Sequence, residues 1–399
     1  MSGHPINRRT FIGGVAGIAA ARAVFAAPAP DGGRISAGLI GAGGRGNMIA
    51  QFIQQHGGYD LNAVADYFPK VAEEAGARFN IDAGRCFSGL EGYKRLLDSG
   101  VDTVFLETPP YCFPDHAEAA VAAGCHVYMA KPVACDVPGC LRILEASRKA
   151  TAGKKAFLVD FQTRTDPAHI EGVARLHKGE LGGIGMLASL YTDESFSDPP
   201  LTENAESRLR HLIWVNDNGL GAGYLVNAGI HAIDVALWMA GAPPIAASGA
   251  SRAARPDPHG DSHDVFSLTY EFAGGLILNH RGEHLKNKFE FHCDCVAHCR
   301  TGYLKTGYSD SVEMRGFDAK WEGGAVKDLY EAGARRNIAT FHENITQGVF
   351  DNPTAESGVN STLAAILGRD AAARKTRLTW EQMLAEKWAL EADLRGLVL

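Results

Sequence analysis

The chain has 399 residues, 46% hydrophobic and 21% charged, with a formal net charge of -7. That is enough chain for two domains with separate cores. The mildly acidic balance and scattered basic residues lack the footprint of a nucleic-acid binder. No apolar run after the N-terminus approaches the ~20 residues of a spanning helix, so stable membrane insertion is not expected. Eight cysteines scattered through so long a chain read as small buried hydrophobes, not as a disulfide scaffold.

Residues 1–30 read as an address. Asn7-Arg8-Arg9-Thr10-Phe11-Ile12 precedes the weakly apolar, glycine-rich stretch from Gly13 to Ala27, and small residues surround Val24-Phe25-Ala26. Paired arginines before such a stretch predict a twin-arginine signal, with the twin-arginine export machinery as a partner and a periplasmic destination. Pro28 to Gly33 reads as a linker. That route carries folded proteins, so any cofactor is expected to be loaded before export and retained.

The run Ile35–Ile40 predicts a strand that leads into Gly41-Ala42-Gly43-Gly44-Arg45-Gly46 and then a helix over Asn47–Gln55. Strand, glycines and helix in that order form a dinucleotide fingerprint. Gly41 serves the tight turn, Gly43 the approach of a pyrophosphate, and Gly46 the helix–strand contact. Gly44 and Arg45 belong to the same cofactor-binding loop. A second strand over Asp60–Ala65 ends at Asp66, about twenty residues on, where a carboxylate bonds the adenosine ribose. It repels a 2′-phosphate and so favours NAD over NADP, with Arg45 as the one nearby cation able to accommodate that phosphate.

Strand Val101–Leu106 ends in Glu107-Thr108-Pro109-Pro110, a helix follows over Asp115–Ala123, and His126–Met129 is another strand. This alternation predicts a parallel sheet with helices on both faces over residues 31–155. Its ligand belongs at the strand C-terminal ends, where Thr108, Pro109 and Lys131 lie.

Gly38–Gly46, the run from Thr108-Pro109-Pro110 to Ala130-Lys131-Pro132, and Gly221–Gly241 together resemble the glucose–fructose oxidoreductase, inositol dehydrogenase and rhizopine-catabolism (GFO/IDH/MocA) family. Phe161-Gln162-Thr163-Arg164 and Thr379-Trp380-Glu381 extend the resemblance to the final helix. It implies an α/β protein with an N-terminal Rossmann domain. Residues 156–399 would form an α/β domain with a large open, mostly antiparallel sheet that covers the nicotinamide and joins a homo-oligomer, dimer or tetramer. It also implies NAD as cofactor, a carbohydrate substrate, and Gln162 among the cofactor-binding residues.

The resemblance makes Lys131 catalytic and pairs Asn227 with His231. A spacing of four predicts that these two share one helical face. Oxidising a secondary alcohol requires a base for the hydroxyl proton, the role assigned to His231. Lys131 then steadies the developing alkoxide, or is itself the base if burial depresses its pKa. Asp234 orients this pair, and Arg164, His211 and Trp214 join Asn227 as substrate-binding residues.

The chain departs from the family pattern at Ala130, Asn227 and Phe113, which replace a glutamate, an aspartate and a histidine. With no carboxylate beside it, Lys131 is expected to titrate closer to neutrality. The expected function is a periplasmic NAD(P)-dependent oxidoreductase acting on a carbohydrate hydroxyl, its bound cofactor recycled internally. The alternatives are an NAD-dependent glycosidase or lyase working by transient oxidation and elimination, and a non-catalytic sugar-binding homologue. The cluster His292-Cys293-Asp294-Cys295 with His298 and Cys299 is too tightly spaced for the usual metal sites. A strand over Phe289–Val296 instead puts Cys293 and Cys295 on one face and His292 on the other.

Overall fold

The computed structural model describes residues 34–194, 206–210, 213–255 and 260–398. The twin-arginine stretch and His211 lie outside them.

The first unit alternates strand and helix: β1 (Ile35–Ile40), α1 (Gly44–His56), β2 (Tyr59–Asp66), α2 (Pro69–Phe79), β3 (Cys86–Ser88), α3 (Gly92–Asp98), β4 (Thr103–Leu106), α4 (Phe113–Ala122), β5 (His126–Ala130), α5 (Val137–Ala152) and β6 (Phe157–Asp160). The six strands pair in parallel in the order β3-β2-β1-β4-β5-β6. Every residue of β4, β5 and β6 is buried, the mark of strands covered on both faces. The strand order reverses between β1 and β4, which opens a crevice at the strand C-terminal ends. β6 carries this sheet past the boundary expected at residue 155.

The second unit begins with α6 (Pro167–His177) and β7 (Ile184–Asp193). A π-helical turn (Leu225–Gly229) leads directly into α7 (Ile230–Ala240). Then come β8 (Ala246–Arg252), β9 (Val265–Glu271), β10 (Ile277–His284), β11 (His292–Cys299), β12 (Gly302–Gly307), β13 (Ser311–Gly316) and β14 (Lys320–Ala325). The helices α8 (Leu329–Gln347) and α9 (Thr354–Arg374), the short β15 (Leu378–Thr379) and α10 (Trp380–Glu386) complete it. The sheet has nine strands in the order β14-β13-β12-β11-β7-β10-β9-β8-β15. Only β7 and β10 pair in parallel, so it is the large, mostly antiparallel sheet expected.

Two expectations change. β11 starts at His292 and not at Phe289; Cys293 and Cys295 still face inward, while His292 pairs with Asp294 on the other face. Asn218–Ala240 is a 23-residue helical run long and apolar enough, by length and composition, to cross a membrane, contrary to the sequence expectation. Its apolar window is buried throughout inside the protein, between the second sheet and α9.

Candidate active site

Gly41 has φ +96°, and a Cβ there would lie 2.8 Å from the Glu107 carbonyl oxygen and the Thr108 nitrogen. A Cβ on Gly46 would lie 1.9 Å from the Gly41 carbonyl oxygen. These two glycines let α1 start hard against β1 and β4. Gly43 and Gly44 are the opposite case: both are exposed, and a Cβ on either meets nothing within 4 Å. Gly43 caps α1 without any side-chain hydrogen bond, so the helix presents bare N–H groups to open space. A diphosphate fits that cradle, because a helix N-terminus offers unpaired donors and a positive dipole end.

Asp66, at the end of β2, accepts N–H bonds from Ala42 at 2.8 Å and Phe68 at 3.0 Å. Its carboxylate therefore borders the glycine loop on the side expected for the adenosine ribose. On the other side of the reversal, Thr108 and Pro109 follow β4, and Thr108 Oγ1 lies 3.3 Å from His116 Nδ1.

Lys131 follows β5 and keeps part of its surface open. Its Nζ donates to the Asn227 carbonyl oxygen at 2.7 Å, which ties the first sheet to the π-turn. The Asn227 side chain donates to the Gly221 carbonyl oxygen at 3.4 Å. The one-face argument for Asn227 and His231 assumed a regular α-helix. In the structure Asn227 sits in the wider π-turn and His231 in the first turn of α7, so Asn227 meets the lysine through its backbone.

His231 is 8% exposed, its Nδ1 lacks a hydrogen-bond partner among the described residues, and its ring meets Tyr308 at 5.5 Å and Phe161 at 6.4 Å. Burial, reinforced by Lys131 and Arg45, pushes the imidazole well below its ordinary pKa, so it is neutral at pH 7. Crowding by protein atoms, with Arg45 adding to it, brings Lys131 down to about 7 while Asp160 and Glu107 oppose the shift.

The remaining expected residues take definite places. Arg164 grips Asp234 with three contacts of 2.9–3.0 Å and lies 5.3 Å over the Trp238 ring. Its guanidinium is thereby committed to a buried carboxylate one turn beyond His231. Gln162 is 1% exposed, accepts from the Tyr308 hydroxyl at 3.4 Å, and packs under Gly333 of α8. Trp214 is half-buried against Gly221, whose carbonyl holds Asn227. Phe113, where a histidine was expected, is a core residue at 1% exposure.

Sequence reasoning missed Glu107 and Asp160 as site residues. Arg45 reaches across the strand ends to both: Nε lies 3.1 Å from Glu107, and an amino group of the guanidinium pairs with Asp160. Both carboxylate side chains are wholly buried. The signal was present, because Asp160 ends and Glu107 directly follows a buried apolar strand.

Comparison with known proteins agrees with this geometry. Residues 35–156 match the oxidoreductase family with an NAD-binding Rossmann fold, and residues 173–305 match the GFO/IDH/MocA C-terminal domain. An inositol 2-dehydrogenase of Streptomyces avermitilis is 27% identical over 360 residues, spanning 86% of this chain and 93% of the relative. Among solved structures, an inositol dehydrogenase homologue complexed with NAD+ from Azotobacter vinelandii superposes with a TM-score of 0.72 at 18% identity, covering 87% of this chain and 97% of that one. An aldose-aldose oxidoreductase from Caulobacter crescentus complexed with glycerol gives 0.70 at 19% identity, covering 87% and 99%. The chain belongs to the GFO/IDH/MocA family of oxidoreductases, with an NAD-binding Rossmann domain followed by that family's C-terminal domain.

Proposed function

We propose that this protein oxidises a secondary hydroxyl of a sugar or cyclitol, with NAD held tightly and recycled in place, in the periplasm. The observation that carries the reading is the convergence of Lys131 and His231 at the strand ends beside an open glycine cradle. Bound there, with Gly43, Gly44, Asp66 and Thr108 as its contacts, NAD supplies a hydride acceptor. The protein's own work is to take the hydroxyl proton and to orient the oxygen. A base serves best with a pKa near the working pH. Lys131, at about 7, meets that condition better than His231, whose protonated form is strongly disfavoured. We therefore assign Lys131 as the proton acceptor and His231 as a neutral hydrogen-bonding partner of the same hydroxyl. This is the alternative the sequence left open, in which burial depresses the lysine's pKa. Asp234 and Arg164 brace α7 beneath His231, and Trp214 with Asn227 borders the substrate side.

The periplasmic and recycling parts rest on the paired arginines at Arg8 and Arg9. A homo-oligomer joined through the open face of the nine-stranded sheet completes the proposal. The test is to denature purified protein and identify the released dinucleotide by absorbance and mass, then to screen inositols and aldoses for cofactor reduction. Stoichiometric NAD(H) and sugar-dependent reduction, lost in Lys131→Ala and His231→Ala, are expected. A folded protein that carries no dinucleotide sinks the retained-cofactor idea, and unchanged turnover in both variants sinks the site assignment.

A further inference from the structure

Past α10 the chain has no further helix or strand among the described residues, only a turn at Arg395-Gly396. It nevertheless keeps a definite course. Lys387 caps α10 in the left-handed conformation, φ +47°, and its N–H reaches the Met383 carbonyl oxygen. Trp388 lies under the Arg374 guanidinium at 4.8 Å. The Leu390 N–H donates at 2.9 Å to Asp136, whose other carboxylate oxygen caps α5, the helix that follows β5. The chain then passes so close to Gly219 that a Cβ there would lie 3.0 Å from the Glu391 carbonyl oxygen and 3.2 Å from Ala392 Cα. Gly219 belongs to a helical turn, Asn218–Gly221, that packs on Pro110–Cys112 after β4. Arg208 donates to the Asp393 carbonyl oxygen at 2.7 Å and faces its carboxylate at 3.5 Å. At the far end the Val398 N–H donates to the Tyr67 hydroxyl at 3.1 Å, and the Val398 carbonyl oxygen accepts the Leu90 N–H at 3.0 Å.

These ties follow the order of the sheet. Asp136 lies beyond β5, Pro110–Cys112 beyond β4, Tyr67 directly after β2 and Leu90 after β3, all on the side of the strand C-terminal ends. The stretch Leu390–Val398 can extend at most about 28 Å, and β5 lies three strand spacings of about 4.8 Å from β2, so one pass spans the edge. The cofactor belongs along that same edge. Asp66, on the side expected for the adenosine ribose, directly precedes Tyr67. The Gly89 N–H donates to the Tyr67 carbonyl oxygen at 3.1 Å, which joins the two rim loops. Phe68 meets the Tyr67 ring edge-on at 4.9 Å and has the Arg210 guanidinium 4.2 Å over its own ring. The rim at the adenosine end is therefore held from the second unit by Arg210 and by Val398.

We propose that Lys387–Val398 is a strap that gates the adenosine end of the cofactor crevice: nucleotide is taken up and released while the strap is lifted from Tyr67 and Leu90, and is held while it lies down. The gate rests on the tightly held NAD of the reading above, for which it supplies a structural cause. The strap is lightly built at the end that must move. Val398 is 65% exposed and meets the rim through single backbone groups, whereas Leu390 packs against the main core. Lifting from the Val398 end, with Lys387 as the hinge, disturbs little buried surface, which is the condition for local opening well below global unfolding. These ties all run to protein groups, so lifting the strap speeds uptake and release alike and leaves the affinity nearly unchanged.

The test loads nucleotide-stripped protein with NADH and follows its release by fluorescence after rapid mixing with excess NAD+, with no sugar present. Stopped-flow mixing gives the association rate and calorimetry gives Kd. Tyr67→Phe keeps the ring and removes the hydroxyl; Arg208→Ala removes the guanidinium from Asp393. The double variant is expected to release NADH and to take it up about ten-fold faster than wild type, with Kd within about two-fold. Unchanged rates overturn the proposal. So does faster release matched by an equally weaker Kd with association unchanged, because that is the mark of a damaged pocket and not of a gate. Should the double variant not fold, Leu90→Cys combined with Val398→Cys decides, since backbones joined by a hydrogen bond lie within disulfide range. Its oxidised form must release NADH more slowly than its own reduced form, and equal rates overturn the strap. Added NADH keeps this result separate from the function proposed above: protein purified empty that still shows gated exchange supports the strap and overturns only the retained cofactor.

Discussion

Asp234 is wholly buried, receives both arms of Arg164, and accepts the Ser361 hydroxyl at 2.6 Å. Removing one partner of such a pair leaves a largely desolvated charge, at a cost of about 3–5 kcal/mol. Asp234→Ala should therefore lower the unfolding free energy obtained from urea melts by that much, and a loss below about 1 kcal/mol would show the pair to be dispensable. Glu107 gives a pH-dependent counterpart. Its folded pKa is raised from 4.5 to about 7, so the folded state holds this proton more tightly than the unfolded chain. Stability from this group is full at low pH and declines as pH rises from about 4.5 to about 7. Glutamine mimics the protonated form throughout. Urea melts of Glu107→Gln and wild type should thus favour the variant progressively more between about pH 5 and about pH 8, by no more than about 3 kcal/mol. A difference independent of pH rejects the shifted carboxyl. At this scale the sequence placed Gly41 in a tight turn after a strand, Lys131 just past a strand end and His231 on a helix, and the structure has them there. It was silent on the Arg45–Glu107–Asp160 contact, because that contact requires β1, β4, β5 and β6 to lie side by side. A strand order is not a local property of any of the three segments.

The first turn of α1 separates two uses of glycine that look alike in sequence. Gly46 is required by packing, since its Cβ would overlap the Gly41 carbonyl oxygen. Gly43 has ordinary negative φ and free space around it, so folding alone does not demand it. Gly46→Ala should cost on the order of 2 kcal/mol or more by forcing the helix off the strand. Gly43→Ala should melt like wild type yet bind NAD markedly more weakly, because its methyl group occupies the diphosphate's approach. Thermal melts with and without NAD separate the two, and equal NAD affinity in Gly43→Ala and wild type would remove the cradle assignment. Element positions were legible in the first unit because alternating apolar runs and helices leave a strong period. The π-turn before α7 was not. Leu225–Gly229 carries no local pattern that marks a wider turn.

The linear boundary expected at residue 155 is not where the molecule divides. One face of the first sheet is covered by α1 and α2 and, from far along the chain, by α8. Ala334, Ile338 and Phe341 of α8 sit in the same core as Leu39, Phe105 and Tyr128. Phe341 meets the Phe105 and Tyr128 rings edge-on at 5.8 and 5.7 Å, and Tyr59 donates to the Ile338 carbonyl oxygen at 3.1 Å. Sequence pattern could identify both sheets, yet it could not show that a helix starting at Leu329, far beyond the end of β6 at Asp160, completes the first core, since such a docking depends on shape and not on period. Burying side chains of this size contributes about 1.5–3 kcal/mol each, against a net domain stability of about 5–15 kcal/mol. A fragment of residues 34–162 should therefore lack a cooperative melt, bind a hydrophobic dye and show weak near-ultraviolet circular dichroism. The same fragment joined through a flexible Gly/Ser linker to residues 329–350 should regain a cooperative transition and measurable NAD affinity. If the shorter fragment already melts cooperatively with a native near-ultraviolet spectrum, α8 is an accessory to the NAD-binding unit and not part of its core.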